Sequence, residues 1–526
     1  MRVVATVLVL VVLATAAATG ARRWRIPAPS LLVLIGVGVA LVPGEPPLRI
    51  APDTIALVVL PPLLYASAEE LSVRDLRTVW KPVAVLAFGL VLASAAVVAV
   101  LASWLTPLSG AMAFVLGTVL ASTDPVAVTA LGRRLPLPGR VQVLVQAESL
   151  FNDATSLVLF KVAVAVAVST GTLSAARIGG EFFLLAGGGT LVGAAVAGAV
   201  ALLRRRTEDP VLETVIALVT PYAAYVLAEE LHTSGVTAVV VAGVLLGHAG
   251  HRLSDARIRL QVQAVYAVVV FLLESVVFAV VGLELPAFVR ELHGGGASGW
   301  PLQALVLAAA LVAVRVLWML PLSAAVRPAA DRAAAERGAR RGPSWRLTVV
   351  ASWAGTRGVM PLAAALSIPL VTDDRHPLPG RPLILALTTA VVVVTLVVQG
   401  LTLAGVVNRS GIALEPEHSA REESAARQNL ARAALERLAE LADAEAVPAT
   451  AVARARHGLE ARLVEHDAEA VGERGAEADF RELRRDLIGV QEERLRRLYD
   501  DHRISEATRR RLQRELDLDH AGLGED

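Results

Sequence analysis

The chain is predicted to be an all-α polytopic membrane protein with a separate helical tail, and three observations predict it. Hydrophobic residues make up 55% of its 526 positions. Apolar stretches of about twenty residues, the length at which a helix crosses a ~30 Å hydrocarbon layer, recur from residue 3 to residue 407. The balance of charge then changes sign: from Gly411 onward there are 19 Arg and 27 acidic residues, net −8, against 31 basic and 22 acidic residues, net +9, before it. Two domains are expected, 1–408 in the membrane and 409–526 as a cytoplasmic helical tail.

Hydropathy and the punctuation by Gly, Pro and charge give about thirteen spans: 3–20, 30–42, 54–67, 83–104, 110–132, 141–168, 182–203, 211–228, 235–247, 262–285, 301–326, 347–370 and 382–407. The first has the basic start and small-residue end of a signal peptide, but the Arg22-Arg23-Trp24-Arg25 cluster after it favours a retained helix. Basic residues crowd alternate connections: Arg22, Arg23 and Arg25; Arg74, Arg77 and Lys81; Arg133, Arg134 and Arg140; Arg204 to Arg206; Arg252, Arg257 and Arg259; and the 327–346 loop. The intervening connections hold only Arg49, Arg177, Arg290, Arg375 and Arg381. Positive charge stays inside, so the tail is expected in the cytoplasm of a multi-pass cell-membrane protein, and the odd number of spans leaves the N-terminus outside.

An ionisable residue half-way across a bilayer costs at least a few kcal/mol unless it is compensated, so depth selects the candidates. Thr123-Asp124 in the fifth span, Asn152-Asp153 in the sixth and Arg357 in the twelfth all fall near mid-span. In the sixth, Glu148 and Asn152 are four residues apart, as are Ser149 and Asp153, which stacks each pair on neighbouring strips of one helix face. That face offers a carboxylate, an amide carbonyl and a hydroxyl, the hard oxygen donors that a small alkali cation accepts in place of water. Lys161, two turns further on, is either a charge partner or a side chain reaching to the interface.

Two of these segments read as broken helices. Ser122-Thr123-Asp124-Pro125 interrupts an apolar run with an N-cap residue followed by proline, which fits the first position of a new helix but cannot continue an old one. Gly355-Thr356-Arg357-Gly358 with Pro361 is the second break. If spans one to six correspond to spans eight to thirteen, the fifth pairs with the twelfth in inverted orientation. Interrupted helices at corresponding places in inverted repeats point to the binding site of a secondary transporter.

Each residue also has a structural alternative. Glu148 with Arg357 can be a buried ion pair that holds the fold. Glu274 and Arg315, near mid-span in the tenth and eleventh segments, are balanced between a structural pair and a place on the ion pathway. Gly187 to Gly189 read as close helix packing. His232, His248 and His251 lack ligand spacing, the chain has no cysteine, and no Gly-rich phosphate loop is present, so no cofactor, structural metal or nucleic-acid partner is expected. A cation channel is the rival transport class, disfavoured by one titratable site between two broken helices where a channel would have a ring of carbonyls. A membrane enzyme is disfavoured because Ser149 and Ser352 have no His at helical spacing.

Taken in order, Ser122-Thr123-Asp124-Pro125-Val126-Ala127-Val128, Glu148-Ser149-Leu150-Phe151-Asn152-Asp153, Gly355-Thr356-Arg357-Gly358 and Gln399-Gly400-Leu401-Thr402 resemble the hallmarks of the monovalent cation:proton antiporter family, in its NhaP-like sodium/proton exchanger branch. The resemblance covers the membrane domain. It implies that Asp153 is the carboxylate shared in turn by cation and proton. Thr123 and Ser149, with backbone near Asp124, would complete a Na+ shell, Asn152 would support the unwound crossing, and Glu148 would pair with Arg357. Asn152 in place of a second aspartate implies one proton per sodium. The resemblance further implies a homodimer in which an elevator-like core moves against a dimerisation panel. Potassium remains open as the cation, and lithium beside sodium. In the tail, 424–441, 451–465 and 478–499 carry apolar residues at three and four spacing among mixed charges, which predicts amphipathic helices.

Overall fold

A computed structural model describes residues 28–40, 52–71, 73–123, 139–168, 175–207, 209–253, 256–294, 299–336, 344–372, 376–410, 416–443, 448–471 and 487–498, with isolated positions 12, 15, 16, 19, 501, 512, 513 and 516. Asp124 and nearly all of the first expected span lie outside these residues. The described secondary structure is helical, apart from one antiparallel bridge between Val371 and Pro377. Two compact units divide the chain, Met1–Ala413 and Leu414–Asp526.

In the first unit, α1 (Ala28–Ala40), α2 (Pro52–Glu69) and α3 (Val73–Ala84) are followed by a π-helical turn, Val85–Leu90, that runs into α4 (Val91–Leu105). Then come α5 (Gly110–Ala121), α6 (Gly139–Val168), α7 (Ala175–Arg204), α8 (Pro210–Glu230), α9 (Gly235–Leu253), α10 (Ala256–Gly294) and α11 (Trp300–Glu336). The last three are α12 (Ser344–Trp353), α13 (Val359–Leu366) and α14 (Arg381–Ser410). Seven helical stretches among the described residues are long and apolar enough to cross a bilayer. Four shorter apolar helices include Gly235–Ala249, at the place of the ninth expected span.

Local chemistry sets several helix ends. Ser109 caps α5 by accepting from Met112 N, and Asp209 caps α8 from Val211 N at 2.7 Å, with Pro210 in the first helical position. Arg381 closes α13 from outside: its Nε donates to Ile368 O at 2.9 Å and its Nη2 to Leu366 O at 3.2 Å, covering carbonyls that a helix end leaves open.

The helices form two groups. The first gathers α3 to α6 and α11 to α14 around α6. In the second, α1 packs on α10, α7 and α2 pack on α9, and α8 packs on α7, α9 and α10. The groups meet where α6 touches α7 and α9, where α13 touches α2 and α10, and where α14 touches α1 and α10. Small residues make the closest crossings, since nothing in lipid but packing and hydrogen bonding draws helices together. A Cβ added at Gly193 would stand 2.4 Å from Ala238 O, and one at Gly189 would stand 2.5 Å from Ser234 O, so α7 and α9 touch backbone to backbone. The second group also buries a charge pair, with Arg204 Nε 3.2 Å from Glu213 Oε2. Beside it Tyr65 stacks on Tyr266, ring centroids 5.7 Å apart, and Tyr266 Oη donates to Ala217 O at 2.7 Å.

In the second unit, α15 (Pro416–Asp443) packs against α16 (Ala449–Val471), and a further helical stretch occupies 487–498. Ala431, Val452, Ile488 and Leu495 turn inward while Leu430 stays exposed, the division expected of amphipathic helices.

Candidate functional site

Within the fifth expected span α5 ends at Ala121 and Ser122 leaves it in extended conformation, φ −62° and ψ 142°; Asp124 and Pro125 of the expected break lie outside the described residues. This frees the carbonyls at the end of α5 from the helical ladder and turns them towards α6. A seam of polar contacts follows. Ser156 Oγ donates to Thr118 O at 2.7 Å, Ser122 Oγ donates to Asp153 Oδ1, Ser149 Oγ donates to Thr123 O, and Asn152 Nδ2 donates to Thr123 Oγ1 at 3.1 Å. Spacings of three and four place Ser149, Asn152, Asp153 and Ser156 along one side of α6. Asn152 is fully buried whereas Asp153 keeps 7% exposure, so of the two it is Asp153 that retains an opening.

The twelfth span is broken outright between α12 and α13, with residues 354–358 between them. Pro361 falls in the first turn of α13, where its missing N–H costs no helical bond. Thr395 on α14 receives the backbone N–H of Arg357 at 3.3 Å, and Arg357 Nη1 donates to Gly355 O at 3.1 Å. The guanidinium of Arg357 is therefore turned back into its own break, within electrostatic reach of Arg315, Glu148 and Asp153.

This corrects the pairing expected for Glu148. Its partner is Arg315, from the middle of α11: Nη2 donates to Glu148 Oε2 at 2.9 Å and Nη1 to Oε1, a two-pronged fit, while Nε and Nη2 also donate to Ala351 O at 3.1 and 3.0 Å. Gly355 is what lets Arg315 through. A Cβ there would lie 2.4 Å from Arg315 Cδ, so the glycine of the break serves as a passage for a side chain from another helix. Arg315, for which a pairing with Glu274 or a pathway role stood open, is committed to Glu148, and Glu274 is half-buried on α10.

Lys161 forms an ion pair with Glu229 at the end of α8, so it is a charge partner to a residue that depth along the spans did not select. Ser122 was also passed over. The signal for it was present, since it opens the same helix-breaking segment as Thr123. Of the Gly187 to Gly189 run, Gly188 and Gly189 lie against Thr233 and Ser234 as close packing requires, while a Cβ at Gly187 would meet open space.

The donor set around Asp153 is one carboxylate with neutral oxygens from Ser122, Thr123 and Ser149, and the neighbouring carboxylate of Glu148 is occupied by Arg315. No group of three or more His, Asp or Glu with metal-holding geometry occurs among the described residues. Such a set suits a singly charged cation better than a divalent one, which gathers several carboxylates.

A helix that ends beside a buried carboxylate, in a bundle with a second helix broken outright, is the arrangement of an ion-coupled secondary transporter. The chain belongs to the sodium/hydrogen exchanger family of transmembrane proteins, whose family model matches residues 8–409. It is 34% identical over 527 residues to an uncharacterized Na(+)/H(+) exchanger of Mycobacterium tuberculosis strain H37Rv, covering 98% of this chain and 96% of that one. It is 32% identical over 389 residues to the Na(+)/H(+) antiporter ApNhaP of Aphanothece halophytica, covering 74% of this chain and 70% of that one. The fold is similar to that of the sodium proton antiporter MjNhaP1 from Methanocaldococcus jannaschii, with a TM-score of 0.60 and 20% identity over 79% of this chain and 98% of that one.

Proposed function

We propose that the chain exchanges a monovalent cation, sodium foremost, for protons across the cytoplasmic membrane, with Asp153 as the carboxylate that binds each in turn. The observation that carries this reading is the seam at the end of α5. One carboxylate with a residual opening stands there among neutral oxygens, and the other carboxylate on the same helix is tied to an arginine. In this reading Asp153, Ser149 and the Thr123 carbonyl hold the cation, and Asp124, the next residue in the sequence, is assigned to the same set. Asn152 props the broken end of α5 through Thr123, and Glu148 with Arg315 braces the site. Arg357 balances the remaining charge from the second break.

Exchange follows from exclusion. If cation and proton cannot occupy Asp153 together, and only a loaded site crosses, the gradient of one drives the other. The two loaded forms carry the same net charge, so turnover is one for one and electroneutral. The basic loops support a cytoplasmic tail and an external N-terminus, and a homodimer would supply a fixed panel for the moving helices.

The test is transport by purified protein in proteoliposomes carrying an internal pH dye, with sodium, lithium or potassium added outside. The natural chain should change internal pH on adding sodium and be indifferent to an imposed membrane voltage. Where the proton form dominates, each unit fall in pH should weaken apparent cation affinity about tenfold with little change in maximal rate. Asp153→Asn should abolish the response while remaining folded and membrane-inserted, and a surviving cation-driven pH change in that variant rules the mechanism out. A larger response to potassium than to sodium assigns the alternative cation, and voltage-driven flux without proton coupling assigns a channel.

A further inference from the structure

Lys161 and Glu229 join helices from the two different groups. Lys161 lies on α6, eight residues beyond Asp153 and thus about 12 Å further along the helix axis. Glu229 lies in the last turn of α8 and is held in place there, because its Oε1 accepts from the backbone N–H of Gly235 at the start of α9, at 2.9 Å, as well as from Lys161 Nζ. The ammonium also stands 5.7 Å from the centroid of the Tyr225 ring, one turn earlier on α8. The other two membrane ion pairs described above work differently. Arg315–Glu148 ties α11 to α6 within the first group, and Arg204–Glu213 ties α7 to α8 within the second.

The setting is also intermediate in depth. The Lys161 and Glu229 side chains are 27% and 38% exposed, against 3% and 2% for Arg315 and Glu148. A fully buried pair leaves a heavily penalised charge when it parts, whereas an exposed pair contributes almost nothing when it forms. A half-buried pair lies between these limits, strong enough to bias a conformation and weak enough to open.

We propose that Lys161–Glu229 is a latch between the helix group carrying Asp153 and the α7–α9 group, opened and closed once in each transport cycle. The proposal rests on the alternating-access reading given above. In that reading Asp153 changes the side it faces when its own helix group shifts against the other, and α6 lies on the contact surface, touching α7 and α9. Glu229 is anchored to the α8–α9 turn, so Lys161 cannot travel far with α6 without leaving it. The pair then favours the position in which it is closed, and the two charges separate towards the face that the basic loops assign to the exterior, where water can solvate both.

The chain has no natural cysteine, which makes the test direct. Lys161→Cys with Glu229→Cys is reconstituted in liposomes, joined by a bis-maleimide linker with an internal disulfide, and assayed for sodium-driven proton movement before and after reduction. Exchange should fall about tenfold or more when the linker is closed and return when it is cleaved. Linked protein that exchanges within about twofold of its cleaved form overturns the latch. Natural protein run alongside reports on exchange itself, so its failure would count against the proposed function and not against the latch alone. A second measurement needs no linker: Glu229→Gln keeps an acceptor for Gly235, and its effect on rate should vanish in a Lys161→Met background. Effects that simply multiply in the double variant overturn the proposal.

Discussion

Among its described residues the membrane unit buries two arginine–glutamate pairs of unlike construction. Arg315–Glu148 joins residues 167 apart in the chain, meets face to face through two parallel hydrogen bonds, and draws α6, α11 and the α12 end into one cluster through Ala351 O. Arg204–Glu213 spans a single short connection, from the last residue of α7 to the first turn of α8. It is equally buried, yet neither Glu213 oxygen nor Arg204 Nε makes a hydrogen bond. Burial alone therefore does not mark a functional charge. What separates the two is reach: the first lies on the helix that carries Asp153 and ties together helices distant in the chain, while the second joins chain neighbours at a helix end.

This difference is open to measurement by thermal melting in detergent. Arg315→Ala should cost the most, about 3–5 kcal/mol, because Glu148 is left without its partner deep in the fold. Arg204→Ala should cost less, about 1–3 kcal/mol, since Glu213 gives up no hydrogen bond with it. Sodium/proton exchange should survive the second change and fail in the first. Equal losses of stability, with exchange lost in both, would erase the distinction.

A double-mutant cycle sharpens it. Glu148→Gln with Arg315→Gln should lose less than the sum of the single losses by about 0.5–3 kcal/mol, whereas Glu148→Gln with Arg357→Gln should be closer to additive. The opposite ranking would return Arg357 to the role of partner. Gly355→Ala is expected to cost about 1–3 kcal/mol by pressing a methyl group against Arg315. It should also weaken the Glu148–Arg315 coupling when introduced into the same cycle. A coupling unchanged in the Gly355→Ala background would mean that Arg315 has another way through.

Hydropathy and polarity determined a great deal by themselves. A helix that must satisfy its own backbone in lipid needs a long apolar run, so the membrane class and most spans are written in composition. The break at Gly355 and the end of α5 before Ser122 were legible because proline, glycine and capping residues act locally. Thr123, Ser149, Asn152 and Asp153 could be grouped from the spacing on one helix and the depth of a neighbouring break. The partner of Glu148 was not legible. Arg315 and Arg357 both lie near mid-span, and depth along the membrane normal says nothing of which way a helix is turned or which neighbour it packs against. Tertiary packing decided it, through the missing side chain at Gly355 and the acceptor at Ala351, and it decided Lys161–Glu229 in the same way. A single sequence orders residues along each helix; only the assembled bundle selects, among charges at one depth, the two that touch.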